Sequence, residues 1–242
     1  MPVRPGPLGR RLALADQLLA RHRDLDQAYE GVSLTARKAH ILACRGAVAE
    51  AVALKDRFLP RGRDIGDPQV TSNILPIAAF IEQAGGSLDA ALALVEELER
   101  ATRDGPACYR ADPLPMVARI CRAADQPELA ERFLAGADAP AARYRHCLAT
   151  AHAVLAETKG DLEVALGHYT AAATGWEEFG VVLEQGQALL GAGRCAARLE
   201  AAGSARAPLG REVLGRARAI LDRLGATTLV AETDRQLAES AS

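Results

Sequence analysis

Apolar side chains recur along this chain at the three- and four-residue spacings of amphipathic helices, with polar residues between them. In the first such run, Leu12 and Leu19 fall on one face of a helix. No run alternates apolar and polar residues over β-branched positions, as a strand would. The pattern predicts an all-α fold, with helices over residues 8–22, 25–45, 47–61, 68–84, 88–103, 114–124, 128–135, 141–159, 162–174, 181–199, 209–224 and 227–239.

Several of these boundaries depend on capping chemistry. Asp67 precedes Pro68, so its carboxylate can accept a hydrogen bond from a free amide while the proline occupies the first helical position. Pro76 lies inside the same predicted helix and should kink it, because proline has no N–H to donate. Ser33 and Ser72 are interpreted as residues at helix starts or turns, where capping explains them.

The clearest internal feature is a helix–turn–helix segment. Gly160 and Asp161 form its turn, and Ala153 and Ala165 stand where the two helices would touch closely. Weaker copies lie upstream, and the small residues Ala51, Ala91, Ala130 and Ala165 recur at intervals of 40, 39 and 35 residues. A pattern that returns at such periods predicts a stacked α-solenoid, here of about five helical hairpins.

The domain organisation follows from this pattern. Residues 1–7 are rich in proline and glycine and are expected to form a disordered lead with no signal-peptide core. Residues 8–242 form one helical repeat domain, in which the break at 104–112 predicts a hinge. No apolar run is long enough to cross a membrane.

Composition limits the function. Hydrophobic residues make up 49% of the chain and aromatic residues 4%, which is typical of closely packed helices. The net charge of −2 gives no long-range attraction for nucleic acid or an anionic membrane. The five cysteines are odd in number and widely spaced, so we expect free thiols in a reducing compartment, the cytoplasm.

Candidate chemical motifs have simpler structural explanations. Residues 191–196 fit the glycine pattern of dinucleotide-binding turns, but that site needs a preceding strand, and here the pattern lies in a predicted helix. Its small residues are therefore interpreted as a close helix contact. No two of the five histidines lie four residues apart, and His40 and Cys44 are the single histidine–cysteine pair at that spacing, which is too few ligands for a metal site. We predict no metal site, no cofactor and no catalytic residue.

The hairpins resemble the tetratricopeptide (TPR) repeat. Ala153, Gly160, Ala165, Tyr169 and Ala172 match that repeat's small residue, turn glycine and alanine–aromatic–alanine pattern in register. The other copies match in part. The resemblance implies a right-handed TPR-like α-solenoid that binds other proteins on a concave face.

The C-terminal part is similar to the tail of large bacterial signalling ATPases. The segments that carry this likeness are residues 189–195, 217–226 and 231–234. Such ATPases have an adenylate-cyclase-like or LuxR-type output and a TPR-like sensor half. The resemblance implies that this chain corresponds to a sensor half.

The concave face would be lined by the first helix of each hairpin. The repeat register assigns to it Arg37, His40, Asn73, Phe80, Arg119, Arg122, Thr150, Val154 and Glu157. Arg119 and Arg122 are three residues apart, so both guanidinium groups could hold one carboxylate or phosphate. We therefore predict that these two arginines bind an acidic peptide or partner segment.

These observations predict a non-catalytic protein–protein interaction or regulatory sensor module with a protein or peptide partner, acting in a bacterial signalling or transcriptional regulator. Two alternatives stay open. One is a helical small-ligand sensor or enzyme with a pocket between Pro76 and the 104–112 loop. A closed apolar pocket with converging polar groups would favour it, whereas an open groove would favour the scaffold. The other is a structural dimerisation module.

Overall fold

The computed structural model describes residues 6–21, 29–204 and 210–240. Within these ranges the chain forms thirteen α-helices and no strand, which confirms the all-α prediction. No helix in the described ranges is long and apolar enough to cross a bilayer. The helices are α1 (Pro7–Arg21), α2 (Tyr29–Cys44), α3 (Val48–Ile65), α4 (Pro68–Ala84), α5 (Leu88–Thr102), α6 (Cys108–Ala111), α7 (Leu114–Ala123), α8 (Pro127–Ala135), α9 (Ala142–Lys159), α10 (Leu162–Phe179), α11 (Val182–Ala201), α12 (Gly210–Leu224) and α13 (Thr227–Glu239).

Most helices pair as hairpins with short turns. The hairpins are α2–α3, α4–α5, α7–α8, α9–α10 and α11–α12. The first helix of each hairpin packs against the first helix of the next, and α13 follows α11 in the same row. The second helix of each hairpin contacts the first helix of the next hairpin. Each hairpin therefore packs on its neighbours in chain order.

The two ends of this row of hairpins also contact each other. Helix α13 packs on α2, and α12 contacts α1. The Thr228 hydroxyl on α13 donates a hydrogen bond of 2.9 Å to the carbonyl oxygen of Ala43 on α2. A Cβ atom built at Gly46 would lie 3.1 Å from Thr227 Oγ1. In a stacked solenoid each repeat contacts its neighbours alone, so the contacts between the two ends depart from that arrangement. They bring α13 and α2 together beside the surface that the first helices share.

Local capping chemistry accounts for several helix boundaries. Asp67 Oδ1 accepts a hydrogen bond of 2.7 Å from the Gln69 amide, and Pro68 is the first residue of α4, as predicted. Pro76 lies inside α4, which continues to Ala84. Helix α1 begins at Pro7, so the predicted disordered lead is wrong at that residue, and residues 1–5 lie outside the described ranges.

Small residues bring neighbouring helices into close contact. A Cβ atom at Gly191 would lie 2.4 Å from Cζ of Tyr169, and one at Gly193 would lie 2.6 Å from Cγ of Leu214. This confirms that the glycine pattern of residues 191–196 serves helix packing. Ala153 and Ala165 are both fully buried, as expected for the contact between α9 and α10.

The segment between α5 and α7 is attached to the rest of the molecule through Arg110. This side chain is buried and donates from Nη2 to the carbonyl oxygen of Arg132 at 2.6 Å and from Nε to that of Phe133 at 3.2 Å. Its guanidinium group also lies 3.6 Å from the carboxylate of Glu99. The segment for which the sequence predicts a hinge is thus tied to both α5 and α8.

Candidate functional site

The first helices line two adjoining cavities at the centre of the molecule. The Pro76 cavity has a volume of about 150 Å³, and its wall includes Arg37, His40, Asn73, Pro76, Ile77 and Met116. The Arg119 cavity has a volume of about 100 Å³, and its wall includes Phe80, Arg119, Arg122, Tyr169, Arg194 and Glu232. His40, Met116 and Glu184 belong to both walls, so the two cavities share a boundary.

The Pro76 cavity lies where the small-ligand alternative places a pocket. Pro76 and Ile77 on α4 form part of one side, and Asp112 and Pro113, at the end of the 104–112 segment, form part of another. Apolar and polar side chains are mixed in its wall. A concave site with a few converging polar groups is the usual arrangement of a small-molecule site.

Arg119 and Arg122 both line the Arg119 cavity, but each faces a different carboxylate. Both nitrogens at the end of the Arg119 guanidinium group contact Glu184, at 3.3 and 2.6 Å. Arg122 instead faces Glu157, with Nε 3.8 Å from a carboxylate oxygen and without a hydrogen bond. Each arginine thus has a different internal counter-charge, and binding of an acidic partner by the pair stays a prediction. Helices α11 and α9 supply these two carboxylates.

Glu157 is the centre of a buried polar cluster. Its two oxygens accept hydrogen bonds of 2.9 Å from Nε and Nη2 of Arg194, and one of them accepts a bond of 2.6 Å from the Tyr169 hydroxyl. Arg194 Nη1 also donates to Glu232 on α13 at 3.2 Å. Helices α9, α10 and α11 therefore meet at the Glu157 carboxylate, and Arg194 joins α13 to this cluster.

The electrostatics of Glu157 follow from this geometry. Burial opposes ionisation of the carboxyl, but the hydrogen bonds and charge of Arg194, with the charge of Arg122, lower its pKa to about 2. Burial, together with the neighbouring carboxylate, raises the pKa of the Tyr169 phenol. The carboxylate is thus ionised and the phenol protonated at neutral pH, which matches the donor and acceptor roles of their hydrogen bond.

Besides Glu157, two residues assigned to the concave face are buried between helices instead. Thr150 is fully buried, and its hydroxyl oxygen accepts a hydrogen bond of 2.8 Å from Nε1 of Trp176. Val154 has 1% of its surface exposed. Helix α9 is covered by α7, α8, α10 and α11, so these positions pack between helices. Among the described residues, the walls of the two cavities include neither side chain.

His40 and Phe80 meet at the boundary of the cavities. Their rings lie 5.0 Å apart, edge to face. Burial lowers the pKa of His40 to about 4, against the opposing effect of Glu184, so the imidazole is neutral at pH 7. Asn73 is held by hydrogen bonds from Nδ2 to the carbonyl oxygen of Gln69, at 3.0 Å, and to the Tyr29 hydroxyl, at 3.3 Å.

Sequence reasoning missed several wall residues. Ser33 is not a cap but an interior residue of α2, and its hydroxyl is buried without a hydrogen-bond partner in the described part of the chain. Glu184 and Arg194 lie on α11, the first helix of the last hairpin. If the repeat register is extended to α11, it assigns this helix to the cavity wall. Met116 is apolar, so the sequence pattern does not distinguish it from a core residue. Its position in both cavity walls follows from the packing of α7 alone.

The five cysteines are unpaired. Burial raises the pKa of Cys44, Cys121, Cys147 and Cys195 to about 12 in each case. Their thiols are protonated at neutral pH, and a protonated thiol is a poor nucleophile. Cys147, in the wall of the Pro76 cavity, thus contributes a small apolar surface there.

Comparisons with known proteins identify a similar fold but no family. No protein-family model matches the chain. No curated protein matches it either. Among solved structures, the crystal structure of BtubC (BKLC) from P. vanneervenii is similar to this chain, with a TM-score of 0.52 and 17% sequence identity. The likeness covers 88% of this chain and 87% of that one, and at this identity it shows the fold alone.

Proposed function

We propose that this chain is a non-catalytic regulatory sensor module that binds a small ligand on the inner surface of a TPR-like, right-handed solenoid. The observation that carries the proposal is the pair of adjoining cavities lined by successive first helices. Their walls mix apolar and polar side chains, as ligand sites do. The resemblance to the sensor halves of bacterial signalling ATPases gives such a module a regulatory role in the cytoplasm.

The state of the polar groups supports binding over catalysis. Cys147 is protonated at neutral pH, so it is not an activated nucleophile. Arg119 is engaged by Glu184, and Arg194 by Glu157, so these charges stabilise the fold. A neutral His40 against the Phe80 ring is suited to contacting a ligand.

The contact between α13 and α2 favours a small ligand over an extended peptide. A peptide that runs along the whole concave face needs that face to be open from end to end. Here the hydrogen bond from Thr228 to the Ala43 carbonyl joins α13 to α2, the first helix of the first hairpin. A protein partner would then bind another face of the module or require the ends to separate.

A substitution that introduces a large side chain into the cavity wall, and so plugs the cavity, tests the proposal. Met116 faces both cavities, so Met116→Trp fills space that a ligand would occupy. Ligand-observed NMR with a mixed library of organic acids, amines, neutral compounds and short peptides identifies small molecules that bind the wild-type chain. We expect these molecules to bind the variant at least about tenfold more weakly, because the larger side chain occupies the space of the ligand. The measurement is the dissociation constant of each hit.

Two further variants make the outcome decisive. Ser72→Phe plugs the Pro76 cavity from α4 and should weaken ligand binding to a similar extent. Leu14→Trp adds a large side chain on the exposed surface of α1 and should leave ligand binding unchanged. Circular dichroism verifies that each variant folds. Hits that bind both plugged variants as tightly as the wild type, or the absence of any hit on the inner surface, would contradict the proposal. A peptide hit lost in both plugs would support the inner surface but assign it a peptide.

A further inference from the structure

One cation in the wall of the Pro76 cavity has no partner in the described part of the chain. Arg143 in its wall pairs with Asp112 at 2.5 Å, and Glu184 pairs with Arg119 at 2.6 Å. Arg37 is the second cation in this wall, and it forms no ion pair or hydrogen bond within the described part of the chain. The wall thus holds two cations and two carboxylates, and Arg37 is the one among these four charges without a partner in the described part of the chain.

A second polar group without a partner lies on the same face of α2. Ser33, Arg37 and His40 are separated by four and three residues, which places all three on one side of the helix, and all three belong to the cavity wall. The Ser33 hydroxyl is buried and has no hydrogen-bond partner among the described residues. Buried hydroxyl groups are rarely left unpaired in a native structure, so this one points to an absent acceptor.

The rest of the cavity suits a small apolar body. Pro76, Ile77, Pro115 and Met116 supply apolar wall. The volume of about 150 Å³ is close to that of an engineered cavity known to hold benzene. Arg37 is exposed, so its charge stands at the mouth of the cavity.

We propose that the Pro76 cavity binds a small organic carboxylate with a ring-sized apolar body, its carboxylate held by Arg37 and Ser33. This inference rests on the proposed function, because it assigns a chemical class to the ligand of the same inner surface. A carboxylate accepts hydrogen bonds in its own plane, which matches a guanidinium donor and a neighbouring hydroxyl. A cation would be repelled by Arg37, and a neutral amide would leave Arg37 without a counter-charge.

The full chain labelled at its methionine methyl groups provides the test. The chain has two methionines, so Met116 reports on the cavity and Met1 serves as the reference. The probes are benzoate, benzamide, benzylammonium and inorganic phosphate. We expect benzoate to shift the Met116 methyl signal saturably, and the other three to bind about tenfold more weakly or not at all. Benzamide and benzylammonium lose the charge-assisted hydrogen bonds, and phosphate has no apolar body to fill the cavity.

Matched variants locate the charge. Arg37→Gln should weaken benzoate binding at least about tenfold, and Ser33→Ala should weaken it less, since it removes a neutral donor. Arg45→Gln removes an exposed arginine just beyond the end of α2 and should leave the affinity unchanged. Equal binding of benzoate and benzamide, an Arg37→Gln variant that binds benzoate normally, or a benzoate titration that does not saturate would overturn the inference.

These outcomes separate the inference from the proposed function. If benzamide or benzylammonium shifts Met116 and benzoate does not, the assignment of a carboxylate is wrong while the inner surface still binds a small ligand. If no probe shifts Met116, and the wider library yields no ligand sensitive to Met116→Trp and Ser72→Phe, both proposals are wrong.

Discussion

Replacement of Glu157 by glutamine lowers the free energy of unfolding by about 3–5 kcal/mol, because it removes the main counter-charge of the buried Arg194 guanidinium group and leaves Glu232 as its one remaining carboxylate partner. The side chains of Glu157 and Arg194 are 4% and 12% exposed, so water cannot replace the lost interaction. The same change weakens the acceptor for the Tyr169 hydroxyl. Urea denaturation of the wild type and the variant measures the loss.

A surface ion pair provides the control for this substitution. Glu131 contacts Lys159 at 2.5 Å, but both side chains are largely exposed. Glu131→Gln should leave the free energy of unfolding nearly unchanged, because solvent screens such a pair. If the Glu157→Gln and Glu131→Gln variants unfold at the same urea concentration, the polar cluster is not a buried structural element.

The Glu157 effect also has a defined pH dependence. The carboxyl has a pKa of about 2 in the folded chain, against an ordinary value of 4.5. A carboxyl whose pKa is lowered on folding stabilises the protein above its ordinary pKa, and that contribution disappears as the pH falls through the folded value. The stability difference between the wild type and Glu157→Gln should therefore be constant above pH 4.5 and shrink towards pH 2.

Gly191→Ala should destabilise the protein by about 1–3 kcal/mol through overpacking. A Cβ atom at this position would lie 2.4 Å from Cζ of Tyr169 and 2.5 Å from Cε1. The ring cannot easily withdraw, because it is 1% exposed and its hydroxyl donates to Glu157. Helix α11 must therefore shift away from α10. Thermal or urea unfolding measures the change.

Gly167→Ala makes the same substitution on a neighbouring helix with the opposite expectation. A Cβ atom at Gly167 meets no atom within 4 Å, and the residue is exposed in the interior of α10. Alanine should stabilise the protein there by about 0.5–1 kcal/mol, because glycine loses more conformational freedom on folding. If Gly191→Ala is as stable as Gly167→Ala, the close approach of α10 and α11 is not present in solution.

Features fixed by local chemistry could be predicted from the sequence. Helix α4 begins at Pro68 and ends at Ala84, as expected, because an N-cap and a glycine turn bound it. Helix α10 was predicted to end at residue 174 but continues to Phe179, since Trp176 is buried against Thr150 of α9. That contact lies outside the helix itself, so the helical pattern of residues 162–174 did not indicate it.

The candidate site was predictable only in part, for the same reason. The repeat register placed Arg37, His40 and Phe80 on the inner surface, where they line the cavities. It could not show that Arg119 faces Glu184, because the two residues are 65 positions apart in the chain. Ion pairs between distant helices depend on how the row of hairpins curves, and the contact of α13 with α2 sets that curvature at its ends.

The contact of α13 with the first hairpin is tested most directly by a disulfide across it. A Cβ atom at Gly46 would lie 3.1 Å from Thr227 Oγ1, which places the two Cβ atoms within reach of a disulfide. After mild oxidation of the folded Gly46→Cys/Thr227→Cys variant, peptide mapping by mass spectrometry should find these two positions linked within one chain. The Gly86→Cys/Thr227→Cys variant, which uses the equivalent turn of the next hairpin, should remain unlinked. No link in the first variant while its helical content is retained, or equal linkage in both, would contradict the contact of α13 with α2.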